Sequence, residues 1–235
     1  MEFKRIVVLA NSIKRNERCV AGVELRKQGQ PGLAWIRPVS GESQGELEPR
    51  HMQIEGSSPL SLLDVVDVPI ARYAADAIHP EDWILDITQP WKRAGILHPV
   101  GLEGLEERPD GLWLESSDRT DRVTAAFLLS TASHQSLFLV RPVDFRVAFS
   151  TEHNTFKNKD QKRSRAKFTY RSQEYQMSLT DPVFIDLHCK AFPAVGARPV
   201  VVRPVYGDNC LLCLSLTPEF NDYHYKVVAA VLELP

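Results

Sequence analysis

Phe3, Ile6, Val7, Val8 and Leu9 first alternate with polar residues and then run together, the pattern of a β-branched strand, and Asn11-Ser12 reads as its stop. Residues 13–18 are polar and basic and read as a loop. Cys19 to Leu25 resumes as a strand, with Gly22 placed for a bulge or a close backbone approach. Gly29-Gln30-Pro31-Gly32 is a turn signal, and Leu33 to Val39 follows as a third strand that Pro38 confines to an edge. Residues 40–59, rich in Gly, Glu, Ser and Pro, read as a long surface connection. Leu60 to Tyr73 is strand-like through Val65, Val66, Val68 and Ile70, and Trp83 to Leu85 is a shorter candidate. Pro80, Pro90 and Pro99 exclude a long helix between them.

The second half has the same grain. An acidic, glycine-punctuated stretch at 101–111 marks the best boundary, dividing the chain into 1–110 and 111–235. After it come strand candidates at 111–115, 122–130 and 136–149, then a basic loop over 151–167. Lys167 to Tyr170 and Glu174 to Leu179 flank Arg171-Ser172-Gln173 as a hairpin. Val183 to Cys189 fits either a strand or a short helix, and strands follow at 200–206, 210–216 and 225–234. About ten short strands with almost no helical period predict an all-β chain with minor helix, built as barrels or sandwiches. Arg-Pro-Val recurs at 37–39, 141–143 and 203–205, the first two 104 residues apart, which suggests two repeated units.

Charge changes the picture locally. The chain carries 28 Lys and Arg against 30 Asp and Glu, a net charge of −2 that says nothing about partners. Between Lys157 and Arg171, however, seven bases stand against one acid, leaving 21 against 29 elsewhere. Such asymmetry points to a polyanionic partner. Lys157, Lys159, Lys162, Arg163, Arg165 and Lys167 would contact phosphates, with Tyr170 beside them for stacking, the general recipe for single-stranded nucleic acid. The competing reading is a solvated basic loop feeding a hairpin whose aromatics, Phe168, Tyr170 and Tyr175, are core. Four cysteines are too few for a disulfide framework, no secretory signal is visible, and no window is long enough to span a membrane. The expected setting is the cytoplasm.

Several phrases, in order, carry a resemblance: Arg5 to Ser12, Arg18 to Gly22, Trp35 to Ser40, Leu62 to Val66, Leu179 to Pro182, and Tyr225 to Val231. Together they resemble the bacterial dual OB domain-containing proteins over about residues 4–233. The resemblance implies two tandem OB-like β-barrels. It also implies a leaning toward nucleic-acid binding, within bacterial conflict or defence systems. It brings no reaction or substrate.

A second candidate surface lies near the N-terminus. Lys14, Arg15 and Arg18 occupy the expected first inter-strand loop, while Trp35 and Arg37 lie on the third strand, the part of an OB barrel that contacts ligand. Trp35 either stacks on a base or fills the core, with the core the stronger expectation; Arg37 binds a phosphate or caps the barrel rim. Metal binding is not expected, because Cys210 and Cys213 lack a second pair at zinc-like spacing, and no cofactor motif is present. An enzymatic reading would rest on Asp181 and Lys226. Lys226 lies between Tyr225 and Val227-Val228, so it is either outward-facing or a buried lysine needing an anion. Nothing defines a nucleophile with its base, so the leading expectation is a non-catalytic binder of single-stranded nucleic acid or of a nucleotide end. A protein-interaction module, with the basic loop docking an acidic partner, is the alternative.

Overall fold

A computed structural model describes residues 2–14, 17–25, 34–41, 45, 47–56, 59–131 and 135–235. The chain divides into two compact units, the first comprising 1–106 with 125–138, the second 107–124 with 139–235.

Six strands build the first unit: β1 (Glu2–Lys14), β2 (Glu17–Glu24), β3 (Trp35–Val39), β4 (Asp64–Tyr73), β5 (Asp82–Leu85) and β6 (Lys92–Ile96). They are ordered β1-β2-β3-β5-β4-β6, and β4 also pairs with β1. The first five therefore close into a barrel, with β3 and β5 parallel and the other pairs antiparallel. Ile6, Val8, Val20, Ile36, Val66, Val68 and Leu85 fill it, and Leu47 and Ile54 from the long 40–59 connection are buried with them. That connection is thus part of the core and not surface alone.

Asn11-Ser12 does not stop β1. Asn11 pairs with Val20 and Ser12 with Cys19 in the ladder, and the Asn11 amide donates to the Leu60 carbonyl at 2.9 Å. Their side chains anchor the strand, which runs on to Lys14. Gly22 is required where β2 crosses β1: a Cβ there would lie 2.2 Å from the Val7 carbonyl oxygen, next to a register shift between Val8 and Ala10.

The 122–130 stretch is a short β7 (Arg122–Thr124) followed by a helix, α1 (Ala125–Ser130), and not one strand. The apolar run after Ser136 is broken at Arg141-Pro142 into β8 (Leu137–Val140) and β9 (Val143–Asn154). Then follow β10 (Lys159–Tyr170), β11 (Gln173–Leu179), α2 (Pro182–His188), β12 (Val200–Val202), β13 (Cys210–Leu216) and β14 (Tyr223–Glu233). Residues 183–189 resolve as helix because Asp181 caps the end and Pro182 opens it.

The second unit repeats the first unit's strand order. β9-β10-β11-β14-β13 run in the sequence 1-2-3-5-4, with β11 and β14 parallel. On β9 the closing position is taken by β12, and the Asp208 carboxylate, ahead of β13, accepts the N–H groups of Asp144 and Phe145 at the start of β9. Phe145, Phe168, Tyr175 and Phe184 form the aromatic centre. Two OB-like barrels are therefore present. The Arg-Pro-Val echo does not mark their equivalence, since its copies fall on β3, at the entry to β9 and after β12.

Candidate nucleic-acid interface

In an OB barrel the ligand face is the outer side of the second and third strands, with the loop joining the first two. In the first unit that face is covered. Ile36 enters the barrel core, so Trp35 points the other way, and it is buried all the same, as are Ala21 and Val23. Arg37 Nε lies 2.5 Å from Asp82 Oδ1 with both side chains largely buried. Glu81 beside them takes the Ser136 N–H at 2.7 Å and hydroxyl at 2.8 Å, while burial pushes its carboxyl above the usual range. Arg18 is half-buried and reaches the Asn11 carbonyl and side chain. Trp35 and Arg37 are thus structural here: a tryptophan without an open ring face cannot stack, and an arginine held by buried carboxylates is not offered to phosphate. The side chain of Lys14 and all of Arg15 lie outside the described residues.

The second barrel presents the equivalent face openly. The expected basic loop is not a loop: residues 151–167 belong to the β9–β10 hairpin, with only 155–158 as its turn. Alternation sorts β10 by face. Ala166, Phe168 and Tyr170 point into the core, so Arg163, Arg165 and Lys167 point out, as do Gln176 and Ser178 on β11.

Burial corrects the stacking assignment. Tyr170 is buried, with its hydroxyl donating to the Pro109 carbonyl at 2.7 Å. Phe168 stacks on Tyr175 inside the barrel, centroids 5.7 Å apart. These rings fill the core because inward positions of a small barrel must be filled by large side chains.

The cations differ in how they are already engaged. Arg163 meets Glu152 at 3.2 Å and Lys167 meets Glu174 at 2.7 Å. Arg165 donates to the Ser178 hydroxyl at 3.2 Å, with Asp121 at 4.0 Å. Surface pairs of this kind are weak and exchangeable. Lys157, Lys159 and Lys162 have no carboxylate partner among the described residues, and Lys162 lies over the Phe192 ring at 5.2 Å.

Just ahead of these lysines in the chain lies a ring the sequence reading passed over. Phe156, at the turn of the hairpin, is fully exposed. Its neighbours Asn154, Thr155, Lys157 and Asn158 are turn and charge residues, so no period flags it; the available signal was a lone aromatic in an otherwise polar turn. A second exposed aromatic, Phe220, lies in the loop between β13 and β14, which in this fold also flanks the ligand face. Next to that loop Tyr223 carries the guanidinium groups of Arg119 and Arg122 at 5.5 and 5.1 Å from its ring centre.

Asp181 and Lys226 are not brought together as a reacting pair. Asp181 is buried and accepts three backbone N–H groups, from Val183, Phe184 and Val231. Lys226 faces inward, 1% exposed, donating to the Arg119 carbonyl at 3.0 Å over the Tyr175 ring. Burial lowers its pKa to about 8, against the pull of Asp121 and Glu115. Cys210 and Cys213 are buried and burial pushes both thiols up, Cys210 to about 12. Among the described residues no group of His, Cys, Asp or Glu could hold a metal ion, and no helix is long and apolar enough to cross a membrane.

The sequence profile of the dual OB-containing domain matches residues 4–231. No curated protein and no solved structure matches the chain.

Proposed function

The chain belongs to the dual OB-containing domain family, and on that premise we propose that it is a non-catalytic binder of single-stranded nucleic acid, acting through its second barrel. The observation that carries this reading is Phe156, fully exposed on the turn between the first two strands of that barrel, next to Lys157 and followed by Lys159 and Lys162, all three without carboxylate partners among the described residues. A flat ring next to unneutralised cations supplies both parts of sequence-tolerant single-strand binding, stacking and phosphate attraction. Lys157 and Lys159 make the first phosphate contacts, and Lys162, which alternation places on the opposite face of β10 from Arg163, adds positive charge at that end of the hairpin. Arg163, Arg165 and Lys167 extend the track along the outer face of β10 by exchanging their carboxylate partners for phosphates. Phe156 replaces Tyr170 and Trp35 as the stacking ring.

The test is fluorescence polarisation of a labelled single-stranded oligonucleotide across a salt series. Replacing Lys157, Lys159 and Lys162 together by alanine lowers the slope of log K against log salt by about 2, at ~0.7 per charge. Phe156→Ala weakens binding by about 1–3 kcal/mol and leaves the slope unchanged. Binding and slope unaltered in both variants would remove this hairpin as the interface.

A further inference from the structure

The strand β12 has no buried face. Neighbouring residues of a strand point to opposite sides, yet Val200 is 46% and Val201 58% exposed. Three consecutive valines form a strand readily, but these contribute little to the core. β12 is also the terminal strand of its sheet, paired with β9 on one edge only. A free edge presents backbone N–H and C=O groups ready for another strand. Val195, Val205 and Tyr206, close by in the chain, are exposed as well.

The flanks say what such a strand would have to be. Pro199 and Pro204 bound the valines and cannot donate, so pairing is confined to a short register and cannot spread along the edge. Arg198 is exposed and has no carboxylate partner among the described residues, while Arg203 is exposed and shares Asp144 with Arg146. In a β12–β12 pairing of two copies, these arginines would come together, and like charges facing across strands are destabilising. The edge is therefore set against a second copy and toward an acidic partner.

We propose that β12 is a docking edge for an extended, acidic segment of another protein, which adds to the sheet as a strand. Its backbone bonds to the free edge of Val200 to Val202, its apolar side chains cover the valines, and its carboxylates meet Arg198 and Arg203. This is strand addition, in which main-chain hydrogen bonds give affinity and alternate side chains give selectivity. Oligonucleotide binding rests instead on the β9–β10 turn and the outer face of β10, whereas β12 lies along the edge of β9.

The experiment uses the full chain and two short synthetic peptides, one alternating glutamate with valine, the other lysine with valine. The acidic peptide is expected to bind and to slow amide exchange at residues 200–202. N-methylation of its edge-facing backbone positions should abolish binding. Arg198→Glu, at an exposed site that leaves the fold intact by circular dichroism, should weaken the acidic peptide about tenfold and favour the basic one. Failure of the acidic peptide to bind overturns the proposal, as does equal binding of both peptides to the unaltered chain. Protection at 157–165 in place of 200–202 also overturns it, and so does concentration-dependent self-association that protects 200–202 without peptide.

Discussion

Lys226 carries a burial penalty for its position. Its amine is buried with one carbonyl acceptor and a tyrosine ring, and no carboxylate lies within salt-bridge distance among the described residues. Its folded pKa is about 8 against an ordinary 10.5. Below pH 8 the amine is protonated in both states and the folded protein carries the full burial cost. Between pH 8 and 10.5 the folded state releases its proton first, so stability should rise with pH by at most on the order of 3 kcal/mol. Lys226→Met should stabilise the protein at pH 7 by about 1–3 kcal/mol and abolish this rise, since replacing a buried charge by an apolar side chain of similar volume is often favourable. Urea midpoints of both proteins across pH 7 to 10.5 check it, and their difference cancels the tyrosines that titrate in the same range. Asp181 is the opposite case, a buried carboxylate with every bond directed at backbone. Asp181→Ala removes a helix cap and strands the Val231 N–H, an expected loss of about 3 kcal/mol in urea unfolding. Alternation could not place Lys226 from sequence, because Tyr225 and Val227-Val228 are apolar on both sides of it. The side it faces is decided by the register with β13, where Leu216 pairs with it.

At the scale of elements, close approach and alternation govern what was legible. Gly22 interrupts a strand pattern, which fits a bulge or a close backbone approach; beside a register shift between Val8 and Ala10, the contact with the Val7 carbonyl shows the close approach. That atom is backbone and cannot swing aside. Gly22→Ala should therefore cost about 3 kcal/mol or prevent folding of the first barrel, whereas Gly95→Ala, with nothing within 4 Å of the added Cβ, should cost less than about 1 kcal/mol. Thermal melts of the two variants separate these outcomes. The β10–β11 hairpin was likewise legible: Arg171 and Ser172 both take the positive φ of a tight two-residue turn. The β9–β10 hairpin was not, although Arg163, Arg165 and Lys167 alternate with Ser164, Ala166 and Phe168. Its outer face is so heavily charged that the period was read as a loop. The same oversight assigned the stacking role to Tyr170, an inward position, and missed Phe156, which no period marks. The helix α1 escaped for a different reason: Ala125 to Ser130 is too short and apolar for periodicity to distinguish helix from strand.

For the whole molecule, strand count indicated an all-β chain and an acidic boundary two units, while the two barrels were implied by the family resemblance; none of these told how the chain is shared between them. The shared strand order comes from pairings between distant residues, such as Val7 with Val65 or Ser178 with Val227, which no local pattern records. Nor does any local signal reveal that 125–138 returns to the first unit. The buried carboxylate of Glu81 depends on that return, since its donors are the N–H and hydroxyl of Ser136. Cutting at residue 110 would take those donors from Glu81, and a charged group that stays buried without them costs more than the ~1–3 kcal/mol of a neutral one, while one that becomes exposed does so at the expense of the surrounding packing. A first-barrel fragment of residues 1–110 should therefore show no cooperative urea transition, or one at a clearly lower midpoint than the intact chain. Adding a synthetic peptide of residues 125–138 should raise that midpoint, and the same peptide with Ser136→Ala should raise it less, because only the hydroxyl donor has been lost. A fragment that unfolds cooperatively at the intact chain's midpoint, indifferent to the peptide, would mean that the first barrel is complete without the returning segment.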